Sequence, residues 1–341
     1  MQVTIKDIAS KLGLSPTTIS RVLNGRESAL VSEGTRQKVL QTALEMGYTP
    51  NRMARALVTG QTRSIALWVY AVHPSYYSSI INDVSQILRN DNYEVHVVEV
   101  GKDRSLIDIC SWPVDGIIAF DCTESVDRAL EIDNLIQIPI VSLGATLETK
   151  TDCVSFDLAA GASAAMEHLL DTGRKDIVFL SGNTINDDIR RNSYSKAMSS
   201  AGLDIRSISI DTDSDPSNQA RDSYDSMRKY LSKHKHPEAI FCYNDQTAIG
   251  AYRALLEAGL NIPDDVALVG CDGIDMSEYM TPALTTIVQP FEEMCLMAWQ
   301  FLQNRMNNSE IPRQEAILKC RLEVRGSSRV SKDSELITTR N

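Results

Sequence analysis

Apolar residues recur every three to four positions along the first fifty residues, whereas beyond residue 64 they gather into short unbroken runs. The first pattern predicts helices. Ile5, Ile8, Ala9 and Leu12 fall on one face of a helix opened by Thr4 as N-cap, with Asp7 three residues on completing a capping box and suiting the positive end of the dipole. Gly13, free to take the left-handed conformation, closes it. Ser15 caps a second helix, Pro16 occupies its first position, where a missing N–H costs nothing, and Ile19, Val22 and Leu23 form its inward stripe. The outward face carries Pro16, Thr17, Ser20 and Arg21. Short polar side chains around one long arginine suit a helix end pressed into a major groove, where arginine can bond guanine O6 and N7 together. A helical hairpin with an ordinary solvated face has the same local pattern, so the rest of the chain must decide between the two.

A third helix is expected from Ser32 as cap, with Val31 as staple, carrying Val39, Leu40, Ala43 and Leu44 inward and stopping at Gly47. Three such helices enclose a small core. Pro50 and Asn51 then start a short helix over roughly 52–57 before Gly60 breaks it. Isolated helices below about 12 residues are marginal in water, so this one should form only when something orders it.

The second pattern predicts strands. Apolar, β-branched runs begin at Ile65, Val95, Gly116, Pro139, Ile177, Ala239 and Val266, repeatedly followed by a helix-like segment. Near-continuous apolar strands alternating with amphipathic helices imply parallel sheets covered on both faces, and the units suffice for two sheets. The loops after parallel strands are where such folds bind ligands. Asn244 and Asp245 follow one strand, Asp272 follows another, and Arg190 lies four residues before Tyr194 at a helix start, with Arg191 as the neighbouring alternative. Arginine donates, aspartate accepts and asparagine does both, so the set can fork onto adjacent hydroxyls. Asp245 reads equally as a helix cap, and Asp272 as a residue that orders its loop. Trp68 and Tyr70 read as core strand residues, whereas His73, Tyr76, Tyr77 and Phe291 are placed to line a cleft.

Charge separates the two patterns. Residues 1–62 hold eight Lys or Arg against four Asp or Glu, and the remainder holds 26 against 41, giving +4 and −15 within a total of −11. A basic head on an acidic body touches phosphate at one end and repels it elsewhere. Seven cysteines without CxxC or Cys/His ligand spacing read as buried reduced thiols, and no metal or other cofactor is implied. The start MQVTIKD has no apolar signal core and no apolar stretch approaches bilayer length, so the expected location is cytoplasmic, with no membrane partner.

The order of helix-turn-helix, third helix, short ARAL segment and large α/β domain resembles the lactose-repressor and galactose-repressor family of bacterial transcription regulators, from about Val3 to Ser328. The resemblance implies a homodimer that binds double-stranded operator DNA, repressing transcription in response to a small effector, most plausibly a sugar. It places base reading on Pro16, Thr17 and Arg21, with Ser15 beside them, and phosphate contacts on Thr4, Ser20, Asn24, Tyr48 and Asn51. Ala54 and Leu57 would enter the minor groove, Leu57 wedging a base step. The implied effector positions are His73, Tyr77, Arg190, Asn244, Asp272 and Phe291. The NGRESALVS loop is one residue longer than the commonest family spacing, Ser193 replaces the usual glycine, and HPSYY stands where a phenylalanine pair is common, which points to a different effector preference.

The expected fold class is α/β: residues 1–49 as the helix-turn-helix head, 50–63 as hinge helix and linker, and 64–328 as two doubly wound parallel-sheet subdomains of the periplasmic-binding-protein type. The subdomains are expected at about 64–160 with 291–319 and 161–290 with 320–328. The polar tail 329–341 lacks leucine heptads and reads as disordered. Regulation by a partner protein, or without a ligand, is one alternative. A sugar-acting enzyme using Asp245 and Asp272 is another, opposed by the lack of a Gly-rich phosphate loop, a GxSxG elbow or a metal-spaced histidine pair.

Overall fold

The computed structural model describes residues 3–23, 31–49, 56, 60–72, 75–101, 105–132, 135–145, 148–182, 188–210 and 218–329. Apart from Ala56, the expected hinge helix, with Asn51, Ala54 and Leu57, lies outside the described residues, as do Asn24, His73 and the tail beyond Arg329. The chain divides into two compact units, Met1–Thr62 and Arg63–Asn341.

In the first unit α1 (Ile5–Leu12) starts at Thr4, whose hydroxyl accepts from the Asp7 amide at 3.4 Å while the Asp7 carboxylate accepts from the Thr4 amide at 2.8 Å. Gly13 closes it at φ 65°, in the left-handed region where a side chain is disfavoured. The Ser15 hydroxyl accepts from the Thr18 amide at 3.1 Å and opens α2 (Pro16–Leu23). α3 (Glu33–Glu45) follows Ser32. Ile8, Ala9, Ile19, Val22, Val39 and Ala43 are the buried core. Two expectations fail on α3: Leu40 is 47% exposed and Leu44 77% exposed. Val39, Ala43 and Met46 recur at helical spacing and face the core, while each Leu sits one residue round, rotated by about 100°. A core closed by only two other short helices leaves that second stripe uncovered.

In the second unit twelve strands are described, where the apolar runs predict seven. One sheet has β1 (Ser64–Val69), β2 (Glu94–Glu99), β3 (Gly116–Phe120), β4 (Ile140–Ala145), β5 (Asp152–Asp157) and β11 (Glu315–Lys319), in the order β11-β5-β4-β3-β1-β2, all parallel. The other has β6 (Ile177–Gly182), β7 (Arg206–Ile210), β8 (Ala239–Cys242), β9 (Ala267–Asp272), β10 (Thr285–Val288) and β12 (Arg321–Glu323), in the order β12-β10-β9-β8-β6-β7. Here β12 alone runs antiparallel, to β10. The helices α4 (Ser75–Asn90), α5 (Leu106–Cys110), α6 (Thr123–Leu130), α7 (Leu158–Asp171), α8 (Ile189–Ser200), α9 (Gln219–Leu231), α10 (Asp245–Glu257) and α11 (Phe291–Asn307) connect and cover the strands.

Between the sheets the chain passes after Asp157, after Val288 and at Cys320, the one residue separating β11 from β12. Asp152 in β5 is buried and forked by Arg305 of α11 at 2.9 and 2.7 Å. Trp68 is fully buried in the β1 core as expected, but Tyr70, just past the end of β1, is 39% exposed and is not a core residue. All seven cysteines are free, five buried and two half-buried. Among the described residues no helix is long and apolar enough to cross a membrane, and no group of three or more His, Cys, Asp or Glu is placed to hold a metal ion.

α9 and α10 pack so closely that a Cβ at Gly250 would stand 2.0 Å from the Ala220 carbonyl oxygen and 2.8 Å from Ser223 Cβ. Backbone cannot yield as a flexible side chain can, so Gly250→Ala is expected to destabilise this unit by about 1–3 kcal/mol through overpacking. Urea denaturation checks this; an unchanged midpoint contradicts it.

Candidate functional site

Two surfaces carry the chemistry singled out from the sequence. On the first unit, Pro16, Thr17 and Arg21 are exposed on one side of α2, and Ser20 is half-buried between them and the core. The hydroxyls of Thr4 and Ser15 are engaged at the starts of α1 and α2, and Tyr48 packs its ring against the head core. Capping thus fixes the start of α2, and burial of Ile19 and Val22 fixes its rotation. Those two constraints decide which side chains face outward.

The second surface is a cleft at the carboxyl ends of the strands. In the first sheet β1 lies between β2 and β3, so the chain reverses its direction of winding there; in the second, β6 lies between β7 and β8 and does the same. Loops diverge at such points and leave a crevice. From the first subdomain come Ser75, Tyr76 and Tyr77 at the start of α4, and Asp121 directly after β3. From the second come Asp188 and Arg190 at the start of α8, Tyr243 to Gln246 after β8, and Asp272 at the end of β9. Gln289 and Phe291 lie on the second passage between subdomains.

Arg190 is buried and tightly held. Its Nε and Nη2 donate to the two oxygens of Asp188 at 3.0 and 2.8 Å, its Nη1 donates to the Tyr243 carbonyl at 2.8 Å, and its guanidinium lies 3.7 Å from the Tyr243 ring centroid. Burial acts to raise the Asp188 pKa, but the bonds from Arg190 outweigh it and hold the carboxyl below its usual range. Of the adjacent pair it is Arg190 that enters the cleft, while Arg191 reaches Ser207 at 3.2 Å.

Asp272 accepts from Gln289 Nε2 at 3.0 Å, and Gln289 Oε1 lies 3.2 Å from the Tyr76 hydroxyl, which lies 3.2 Å from Asp121. Tyr76 has one proton to donate and serves one of these acceptors at a time. The result is a polar chain, Asp121, Tyr76, Gln289, Asp272, running from one subdomain to the other. A second link joins them where Gln246 Nε2 donates to Ser75 Oγ at 2.6 Å. Tyr76 packs edge-on against Tyr77 and Phe291, with centroids 5.1 and 5.3 Å away.

Asp245 and Asn244 divide the roles the sequence left open. Asn244 is the helix cap: its Oδ1 accepts from the Thr247 amide at 2.9 Å and its Nδ2 donates to Gln219 at 2.8 Å. Asp245, fully buried, accepts from the amides of Gly273 and Ile274 at 2.9 Å each and from Thr286 Oγ1 at 2.6 Å. The loop after β9 is therefore ordered by Asp245, leaving Asp272 turned into the cleft. Burial raises both carboxyls above their ordinary range, and the charge of Asp245 raises Asp272 further.

Asp121 and Gln289 were not singled out from the sequence. The signal for Asp121 was available, since it ends GIIAFD as Asp272 ends VGCD, each an acid directly after an apolar strand. Both adopt positive φ, 53° for Asp121 and 124° for Asp272, an unusual conformation for a residue other than glycine. Asp121 is exposed, yet protein crowds closely around its carboxyl, and this desolvation pushes it up to about 6, against lowering by Tyr76 and Arg190. A folded-state pKa above the unfolded value of 3.8 means that ionisation opposes folding. Asp121→Asn is accordingly expected to raise the thermal midpoint above the parent's at pH 8, with the gap closing as pH falls through about 6 towards 4. Thermal unfolding across that range checks it; a gap that widens on acidification contradicts it.

Comparison with known proteins agrees with both surfaces. Residues 4–51 match the model for bacterial regulatory proteins of the lacI family, and residues 166–328 match that for a periplasmic binding protein-like domain. The HTH-type transcriptional repressor PurR of Histophilus somni is 31% identical, the match covering 89% of this chain and 92% of that protein. The ribose operon repressor of Escherichia coli is 31% identical, with 95% and 99% covered. The lac repressor dimer bound to operator and the anti-inducer ONPF has the same fold, with a TM-score of 0.79 at 23% identity over 97% of this chain and all of that one. A head built like a groove-reading helix pair, joined in one sequence to a two-sheet body with a cleft and matched end to end by repressors, places this chain in the lacI family of bacterial regulatory proteins.

Proposed function

We propose that the protein is a sequence-specific transcriptional repressor that binds a palindromic operator as a homodimer and responds to a small polar effector, most plausibly a sugar or sugar derivative. Residues 1–49 serve as the DNA-reading head, 50–63 as the hinge, and 64–328 as the effector-binding and dimerisation domain. It acts in the cytoplasm by binding, without turnover. The observation that carries this reading is the exposed face of α2, Pro16, Thr17 and Arg21, held by a capped three-helix core in a chain that full-length repressors match.

Base reading falls to those three residues with Ser15 beside them. Phosphate contacts fall to Thr4, Ser20, Asn24, Tyr48 and Asn51, and minor-groove insertion to Ala54 and Leu57. His73, Tyr77, Arg190, Asn244, Asp272 and Phe291 receive the effector; Asn244 does so while capping α10, which orients its amide. A ligand shifts operator affinity only as far as it binds the two subdomain arrangements differently, and residues from both walls of a cleft supply that difference. Selection from a randomised duplex library by the full-length protein tests the reading. Enrichment of an inverted repeat supports it, and binding without sequence preference removes it.

A further inference from the structure

The charge balance of the described cleft residues narrows the ligand class, given the reading of that cleft as the effector site. Arg190 is the cation that acts on both Asp121 and Asp272, yet its guanidinium fork is already closed by Asp188, its third nitrogen is turned to the Tyr243 carbonyl, and its face is covered by the Tyr243 ring. Asp188 and Arg190 cancel. Among the described residues Asp121 and Asp272 remain turned to the cleft, one from each subdomain, linked through the neutral groups of Tyr76 and Gln289. Neither carboxylate makes an ion pair with Arg190, whose partner is Asp188. Between them stand the half-buried rings of Tyr76, Tyr77 and Phe291, set edge to face. A ring face beside carboxylates stabilises a cation, and the two carboxylates repel an anion.

We propose that the cleft selects a polyhydroxylated ligand bearing a protonated amine, held between Asp121 and Asp272, over the neutral or phosphorylated molecule of the same framework. Hydroxyls of the ligand find donors and acceptors in Gln289, Gln246 and the remaining Arg190 N–H, whereas a phosphate meets two carboxylates and an arginine already in use. The raised carboxyl pKa of both aspartates agrees with this, since a carboxylate lacking a cation binds a proton more readily.

Calorimetry on the full-length protein at low salt, with matched trios of free sugar, 2-amino sugar and 6-phosphate built on glucose, galactose and mannose, tests the proposal. Within the framework that fits, the amine should bind on the order of tenfold more tightly than the neutral sugar, and the phosphate most weakly. Asp121→Asn should bring the amine-to-neutral ratio towards one, while Asp121→Glu, which keeps the charge, should preserve the order. An amine that never exceeds its neutral parent, a phosphate that binds best, or no binding by any member overturns the proposal. If a neutral sugar binds and alters operator affinity while its amine does not, the effector reading stands and only the charge selection falls. If cleft variants leave a ligand's effect on operator binding intact, the effector reading itself is removed.

Discussion

Arg21→Ala is expected to weaken operator binding by about 1–3 kcal/mol per half-site, roughly 30-fold to 20,000-fold over both halves of a palindrome, and to relax preference at one base pair in each half. The reason lies in the rotation of α2. With Ile19 and Val22 buried, Arg21 points away from the head core beside Thr17, and its planar two-pronged donor matches in geometry two acceptors on one guanine edge. Arg21→Lys keeps the charge and loses the fork, so it should recover little of the discrimination. Competition binding against single-base operator variants separates base reading from charge. If affinity falls equally for every variant and only the salt slope changes, Arg21 contacts phosphate instead.

The second large effect is expected in the cleft. Arg190→Ala removes the one charge-assisted N–H left for the effector and should lower effector affinity by on the order of 100-fold, at about 1.5–3 kcal/mol per bond to a charged group. The single change also strands Asp188, 12% exposed, without its partner, and an uncompensated buried charge costs about 3–5 kcal/mol of stability. The double variant Arg190→Ala with Asp188→Asn removes that charge as well. It should restore the folded body while leaving operator binding indifferent to effector. For an effector that releases DNA the variant stays bound throughout; for one that strengthens binding it resembles the ligand-free parent. An intact response in the double variant excludes Arg190 from the mechanism.

The head was legible because every signal in it is local: Thr4 with Asp7, Gly13, and Ser15 with Pro16 are caps whose partners lie within four residues. Leu40 and Leu44 were misjudged because helical spacing shows a stripe but not how much of it three short helices can cover. Among the strands, the unbroken apolar runs were visible and β5, β7, β10, β11 and β12 were not. β7 is an edge with alternate residues exposed, whereas β5 and β10 lie inside their sheets and carry Asp152, Thr285 and Thr286. Those polar side chains are buried because Arg305, Ser328 and Asp245 reach them from distant parts of the chain. Such long-range satisfaction of polar groups leaves no periodic trace. The same holds for the cleft: Arg190 and Asp272 stood out by position after strands, but that Asn244 caps and Asp245 orders a loop depends on contacts with Gln219, Gly273 and Thr286.

The passage at Cys320 has a consequence for how the molecule is made. The first sheet ends in β11, and its covering helix α11 begins at Phe291, so the subdomain that starts with β1 is completed by residues more than 200 positions later. Neither subdomain is a contiguous stretch of chain. During synthesis the earlier strands must wait with the edge of β5 unpaired and the part of one face that α11 covers beside α4 exposed until residues 291–319 have emerged. Contacts of such long sequence separation slow folding and lengthen the exposure of apolar surface to other chains. Because β12 follows one residue after β11, both sheets receive these edge strands almost together, once residues 315–323 have been made.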